Sequence, residues 1–178
     1  MKILLFGANG QVGTECALAF GEMGYEVVAL TRKDADFCQP DDIYNIVKTI
    51  APSIVVNACA YTAVDKAETE TAMAKLINSD SVGALAKACA ELNIVTLHIS
   101  TAYVYNGKSV TPYKEDNPVA PLGVYGQTKL AGETNVAIAN PRHIILRTCW
   151  VFSAQGNNFV KTMLRLARDR TELGVVND

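Results

Sequence analysis

Histidine is almost absent from this chain, and its cysteines stand alone. There are two histidines, His98 and His143, and five cysteines, Cys16, Cys38, Cys59, Cys89 and Cys149, with no CxxC pair and no cysteine/histidine cluster. That excludes the usual zinc and iron–sulfur ligand sets, so no metal site is expected here. An odd number of scattered cysteines suits a reducing cytoplasm, where each is expected to pack as a small apolar residue. No apolar run approaches the roughly 20 residues needed to cross a bilayer. The start, Met1-Lys2 followed by a short apolar run and glycines, lacks the long apolar stretch and small-residue cleavage site of a secretory leader. Net charge is only −2, which gives neither nucleic acid nor an anionic membrane a reason to bind. Internal repeats and low-complexity tracts are also missing.

What remains is globular. Of the 178 residues, 49% are hydrophobic and 19% charged, enough to bury one sizeable core. Short apolar runs alternate with helical patterns. Strands are expected over 2–6, 26–30, 54–57, 94–99 and 143–149, and helices over 12–23, 41–50, 70–92, 125–138 and 158–168. Residues 107–123 hold Pro112, Pro118 and Pro121 and read as an irregular loop. Such alternation predicts an α/β fold, a doubly wound parallel sheet with right-handed crossovers. Residues 1–178 read as one NAD(P)-binding domain. Val175-Val176 resembles the start of a further strand, so a fragment of a longer chain, with a C-terminal region missing, is the expectation.

Three glycines mark the first turn. Gly7, Gly10 and Gly13 lie between the first strand and first helix, where a doubly wound fold holds a dinucleotide pyrophosphate. Gly7 suits the tight turn, Gly10 the close approach of phosphates, and Gly13 close packing of helix on sheet, with helix N-terminal amides aimed at the anion. The spacing is GxxGxxG, and any tight strand-to-helix turn favours a glycine or two, so position carries more weight than the motif. After the second strand comes Leu30-Thr31-Arg32-Lys33. An acid there would bond a ribose 2′-hydroxyl, whereas a cation accommodates a 2′-phosphate, so NADPH is favoured and NADH is the alternative. Arg32 and Lys33 could instead be solvated loop charges, with Asp34 and Asp36 close enough to shift the register.

Tyr125 and Lys129 are one helical turn apart and project from the same face. An unperturbed phenol has a pKa of about 10. A cation about 4 Å away lowers it by roughly two to three at most, which makes a proton donor or acceptor for a carbonyl/alcohol pair. Ser100 and Thr101 end the strand at 94–99, where ligands sit in such sheets. Either hydroxyl could bond the same carbonyl, or simply cap a turn; beside Tyr125 and Lys129, Thr101 is favoured.

Together these segments resemble the extended short-chain dehydrogenase/reductases, and within them the dTDP-4-dehydrorhamnose reductase family. The likeness runs through GANGQVG (7–13), NACAYTAVDKAE (57–68), STAYVYNG (100–107), VYGQTKLAGE (124–133), RTCWVF (147–152) and GNNF (156–159), and spans essentially the whole chain. It implies a Rossmann-like fold and a catalytic set of Thr101, Tyr125 and Lys129. It implies a cofactor site with Gly7, Gly10, Gln11, Val12 and Gly13 at the phosphates, Thr31 and Arg32 at the ribose end, Asp36 and Phe37 on the adenine side, and Ala58, Cys59 and Ala60 along a ribose. Thr62, Val64, Tyr103, Trp150, Asn157 and Asn158 fall on its sugar-nucleotide side; for Trp150 a place in the core is the competing reading. Ala102 and Asn106 depart from the two aspartates of STDYVFDG, outside the catalytic set. The implied reaction is NADPH-dependent reduction of a dTDP-4-keto sugar to dTDP-L-rhamnose. A dTDP-sugar substrate and a homodimer come with the resemblance, and in some relatives a magnesium ion at a dimer contact formed by C-terminal carboxylates. Two other readings stay open: an NADP-binding regulatory subunit resembling the beta subunit of methionine adenosyltransferase, and a nucleotide-sugar epimerase or dehydratase that recycles bound NAD.

Overall fold

The first strand is buried on both faces, and the rest of the sheet is laid out around it. A computed structural model describes residues 1–175. In chain order it contains β1 (Lys2–Phe6), α1 (Gln11–Glu22), β2 (Glu26–Leu30), α2 (Pro40–Ile50), β3 (Ile54–Asn57), α3 (Val64–Ala67) and α4 (Thr71–Lys75). A π-helical turn (Leu76–Asp80), α5 (Ser81–Glu91), β4 (Val95–Thr101), a 3₁₀ turn (Ala102–Val104), α6 (Val124–Ala139), β5 (His143–Thr148) and α7 (Phe159–Asp169) follow. The five strands are all parallel, in the order β2-β1-β3-β4-β5. The winding reverses between β1 and β3, and a doubly wound sheet opens its ligand crevice at such a reversal.

Alternation along β1 splits the core in two. Leu4 and Phe6 join Phe37, Ile43, Val47, Val82 and Leu85 on one face, under α2 and α5. Ile3 and Leu5 meet Cys16, Ala17 and Phe20 of α1 on the other. Residues buried from both sides need no polar alternation, hence the continuous apolar runs of β1 and β3. α1 closes at Gly24, whose φ of +77° stops the helix as its sequence position suggests.

Two elements differ from the sequence-based expectation. The stretch 70–92 is helical, but it carries the π-helical turn at Leu76–Asp80, and a short α3 precedes it. The extra residue swings Asn78 inward, where its side chain accepts from the Tyr61 amide (2.8 Å) and donates to the Tyr61 carbonyl (3.2 Å) and to Thr128 Oγ1 (3.1 Å). α6 lies directly on this turn. A β-carbon at Gly132 would sit 2.1 Å from the Asn78 carbonyl oxygen, so only glycine permits the approach. At the other end of the chain, Val175 is not in a strand, and Val176 lies outside the described residues.

Gly132→Ala is therefore expected to cost about 1–3 kcal/mol or more in urea denaturation, because the obstructing atom is backbone. Gly21→Ala on α1, with nothing within 4 Å of its added carbon, should instead be neutral or stabilising by up to about 1 kcal/mol. Equal effects of the two substitutions would contradict this packing.

Candidate active site

The glycine turn is held by its neighbours on both sides. The Gly7 and Ala8 amides both donate to the Leu30 carbonyl at the end of β2, each at 3.0 Å. Gly7 has φ +79°, and a β-carbon there would lie 2.8 Å from the Ala58 carbonyl carbon and 2.9 Å from the Cys59 nitrogen. The loops after β1 and β3 thus touch through this residue. Gly13 does more than admit the helix to the sheet: its β-carbon would fall 2.0 Å from the Gly7 carbonyl oxygen. No side chain caps α1 at Gly10, and its first turn carries no acid. Its leading amides are left facing outward as an anion site. Gly10, Gln11 and Val12 form one wall of a groove of about 310 Å³, completed by Ala58, Cys59, Ala60, Thr62, Ile99, Ser100, Tyr125, Lys129, Thr148 and Val151.

Next to this groove, Asn9, Thr31, Arg32, Lys33 and Asp36 line a second depression. Asp34 turns back on its own loop, accepting from the Thr31 amide (2.9 Å) and hydroxyl (2.7 Å), which holds its carboxyl below the usual range. Asp36 accepts from the Cys38 amide at 3.0 Å and pairs loosely with Arg32 at 3.6 Å. The Arg32 side chain is 73% exposed. The acids that could have changed the reading of this loop are thus occupied, and the cations face solvent. The Phe37 side chain does not take the adenine-side place that the family resemblance implies: its ring is buried edge-on against Phe6 at 5.4 Å, and Ser81 bonds its carbonyl. Core packing has taken the side chain.

α6 brings Tyr125 and Lys129 to the opposite wall. The Glu68 carboxylate receives the Val124 amide at 2.8 Å, a negative charge at the positive end of the helix dipole. Lys129 is 1% exposed. Its Nζ donates to the Ile99 carbonyl at 2.7 Å and lies 3.4 Å from His98 Nε2. Burial pulls its pKa down to about 8, against the upward pull of Glu133 and Cys59. His98 is fully buried and held well below its ordinary pKa, by burial first and by Lys129 second. The acidified phenol expected from the Tyr125/Lys129 spacing is not found in this structure. Burial raises the Tyr125 pKa, opposed by a hydrogen bond with Thr101 and aided by Tyr103, and Lys129 is not among the groups that move it. The amine is turned toward β4, and its own burial disfavours its charged form.

Ser100 and Thr101 point opposite ways, as successive strand residues must. The Ser100 hydroxyl donates to Glu133. Glu133 in turn receives Arg147 Nε (3.0 Å) and Nη2 (2.6 Å), while Arg147 Nη1 donates to the Tyr105 hydroxyl at 2.6 Å. Ser100, although it lines the groove, is therefore bound to a partly buried ion pair, and Thr101, which is not among the lining residues, is the hydroxyl bonded to the phenol. Sequence reading missed Asn57, His98, Glu133 and Arg147. A signal existed: Thr96, His98 and Ser100 are polar at the alternate positions of β4 where a buried strand is normally apolar, and all three are buried.

Of the residues expected on the sugar side, Thr62 lines the groove, and the Tyr103 ring meets Tyr125 edge-on at 5.6 Å. Asn158 caps α7 and donates to Gln11 Oε1 at 2.9 Å, which ties the start of that helix to the glycine loop. Val64 starts α3 away from the groove, and Asn157 is exposed outside it. Trp150 is 74% exposed, with φ +52° and its ring against Phe159, so it is not a core aromatic. The cysteines are free; Cys89 is in the core, and Cys16, Cys38 and Cys59 pack against it partly buried, as expected. Cys149 is exposed, and Cys59 stands in the groove wall with its thiol pushed up to about 11 by burial.

The chain matches the family model described as RmlD substrate binding domain over residues 1–178. It is 48% identical over its whole length to the dTDP-4-dehydrorhamnose reductase of Shigella flexneri, and covers 60% of that protein. Among solved structures, it resembles a dTDP-4-dehydrorhamnose reductase from Clostridium acetobutylicum with a TM-score of 0.94 and 38% identity, covering 97% of this chain and 61% of that one. It resembles the Bacillus anthracis dTDP-4-dehydrorhamnose reductase, solved in complex with NADP, with a TM-score of 0.92 and 34% identity, again covering 97% and 61%. The chain thus spans about 60% of the length of the curated relatives it matches. With the family model matched from end to end and 48% identity to a curated relative, it belongs to the RmlD substrate binding domain family.

Proposed function

We propose that the protein carrying this chain reduces the 4-keto group of dTDP-4-dehydro-L-rhamnose to give dTDP-L-rhamnose, using NADPH. The observation that carries this reading is the pairing of two walls in one groove: uncapped amides of α1 on one side, Tyr125 and the buried Lys129 on the other. The fit to a dinucleotide rests on the glycine turn, where β-carbons at Gly7 and Gly13 would collide with backbone, and on the exposed Arg32 beside it. Gly7, Gly10, Gln11, Val12 and Gly13 would hold the pyrophosphate, and Arg32 with Lys33 a 2′-phosphate. Ala58, Cys59 and Ala60 would border a ribose. The dinucleotide, when bound, supplies the hydride.

The chain's own residues handle the proton. Tyr125, protonated throughout the neutral range because burial raises its pKa, gives its proton to the C4 oxygen of the sugar. Thr101 bonds the same oxygen. Lys129, one helical turn along in the same groove wall, would supply the positive charge that offsets the phenolate left behind, so the cation matters after the transfer more than before it. The sugar-side residues best supported are Thr62, which lines the groove, and Tyr103 and Asn158, which each contact a residue of its walls. The names of the relatives support the substrate, and the NADP complex of one supports the cofactor. Five free cysteines support a cytoplasmic setting.

In the full-length protein, Tyr125→Phe should lower kcat for NADPH oxidation with the 4-keto sugar by about 10²–10⁴-fold. Cofactor binding, followed by fluorescence, should stay within a few-fold of wild type. Retained turnover would remove Tyr125 as the acid, and an NAD that stays bound with no net NADPH consumption would favour an epimerase or dehydratase. Arg32→Ala should raise KM for NADPH about tenfold, the loss of roughly 1.4 kcal/mol, and leave KM for NADH unchanged. Equal losses with both cofactors would place Arg32 outside the 2′-phosphate site.

A further inference from the structure

The buried amine of Lys129 terminates a hydrogen-bond chain that begins on the main chain of the cofactor groove. The Cys59 amide donates to Asn57 Oδ1 at 3.0 Å. That bond fixes the side-chain amide, because the reverse orientation would set two N–H groups against each other. Asn57 Nδ2 therefore faces His98 Nδ1, at 3.1 Å, as a donor. A ring nitrogen that accepts carries no proton, so in the neutral imidazole the proton sits on Nε2. Nε2 lies 3.4 Å from Lys129 Nζ.

We propose that His98 is a positioning residue for the reduction: oriented by Asn57, it presents an N–H to Lys129 and so sets the pH at which that amine takes up its proton. The inference rests on the reading of Tyr125 and Lys129 given above. A neutral amine has one lone pair to accept from His98 and can still donate to the Ile99 carbonyl at 2.7 Å. An ammonium has no lone pair and would meet the imidazole donor to donor. The chain from Cys59 to Lys129 is thus complete only with the amine uncharged, and protonation must reverse the histidine tautomer against an amide that cannot turn. The lowered pKa of Lys129 agrees with this.

The other groups around the amine do not remove the conflict. Ile99 and His98 face it from β4, Cys59 from the loop after β3, and Tyr125 and Glu133 from its own helix. Burial keeps the Cys59 thiol up at about 11 and therefore uncharged near neutrality. Glu133 is the one acid among them, and its carboxylate is engaged by Ser100 and by Arg147. Sequence alone treats His98 as an ordinary strand residue; its fully buried ring, bonded at both nitrogens, says otherwise.

The test needs no variant to begin with. In full-length protein labelled with ¹⁵N-histidine, two-bond ¹H–¹⁵N spectra taken well above the Lys129 midpoint of about 8 should show His98 protonated on Nε2 and bare on Nδ1. His143 is the internal control, since its Nδ1 lies 2.7 Å from the Asn140 carbonyl and must carry a proton. A His98 ring protonated on Nδ1, or on both nitrogens, overturns the proposal. Asn57→Asp then replaces the donor with an acceptor. The His98 proton should move to Nδ1, and the Lys129 titration followed by ¹³Cε shifts should rise by about one pH unit or more. The alkaline limb of the kcat–pH profile should move with it. An unchanged tautomer or an unchanged lysine midpoint in Asn57→Asp also overturns it. The two readings fail separately: wild-type protein with the expected tautomer but no NADPH consumption refutes the reduction and leaves the hydrogen-bond chain standing, whereas active protein with the reversed tautomer refutes this inference alone.

Discussion

A lysine amine drawn out of water is the constraint on which the rest of this structure turns. Lys129 is 1% exposed and hangs from the Ile99 carbonyl at 2.7 Å, in the wall of the groove. A charge in such a place is unfavourable unless compensated, and the protein responds by shifting its pKa. Holding it there requires α6 to lie close over β4. That in turn requires Gly132, without a side chain, to sit on the π-helical turn at Asn78. It also requires a strand whose inward face is polar, and Thr96, His98 and Ser100 provide one. Glu133, one turn along α6, pairs with Arg147 and receives Ser100, so the helix face is bonded along its length.

The groove then has two walls of different electrical character. The α1 wall offers backbone amides and no side-chain anion, which suits a phosphate. The α6 wall offers a phenol that stays protonated and an amine near its titration point. The reduction proposed for this groove needs a proton donor first and stabilisation of the resulting anion second, and those are the roles the two groups would take. Asn158, bonded to Gln11, ties the start of α7 to the glycine turn.

Much of the fold could be read in the residues. β1, β2 and β3 fall where short apolar runs indicate them, and Gly7, Gly10 and Gly13 announce the turn. Tyr125 and Lys129 share a helix face as their spacing requires. What escaped sequence reading depended on contacts between distant segments. The π-helical turn has no glycine or proline to mark it and exists because Asn78 meets Tyr61 and Thr128. The pKa of Tyr125 could not be taken from its distance to Lys129 along a helix, since burial of both groups decides the outcome. Phe37 reads as a cofactor-side residue and has its ring in the core, because local sequence does not show which face of a loop the sheet covers. The roles of Asn57, His98, Glu133 and Arg147 come from tertiary juxtaposition alone, although polar residues at alternate positions of β4 are a visible clue.

The most direct test of the buried amine is the stability of wild-type protein relative to Lys129→Met as a function of pH. With the folded-state pKa of Lys129 pulled down to about 8, below its ordinary value of 10.5, the unfolded chain binds the extra proton between those two values. Unfolding free energy therefore rises with pH across that window for wild type and not for the variant. Wild-type protein should gain on Lys129→Met from pH 8 upward, and the gain should level off above the unfolded value. A difference that stays flat, or that falls with rising pH, would mean that the amine keeps its charge, and would contradict the burial on which the site is built.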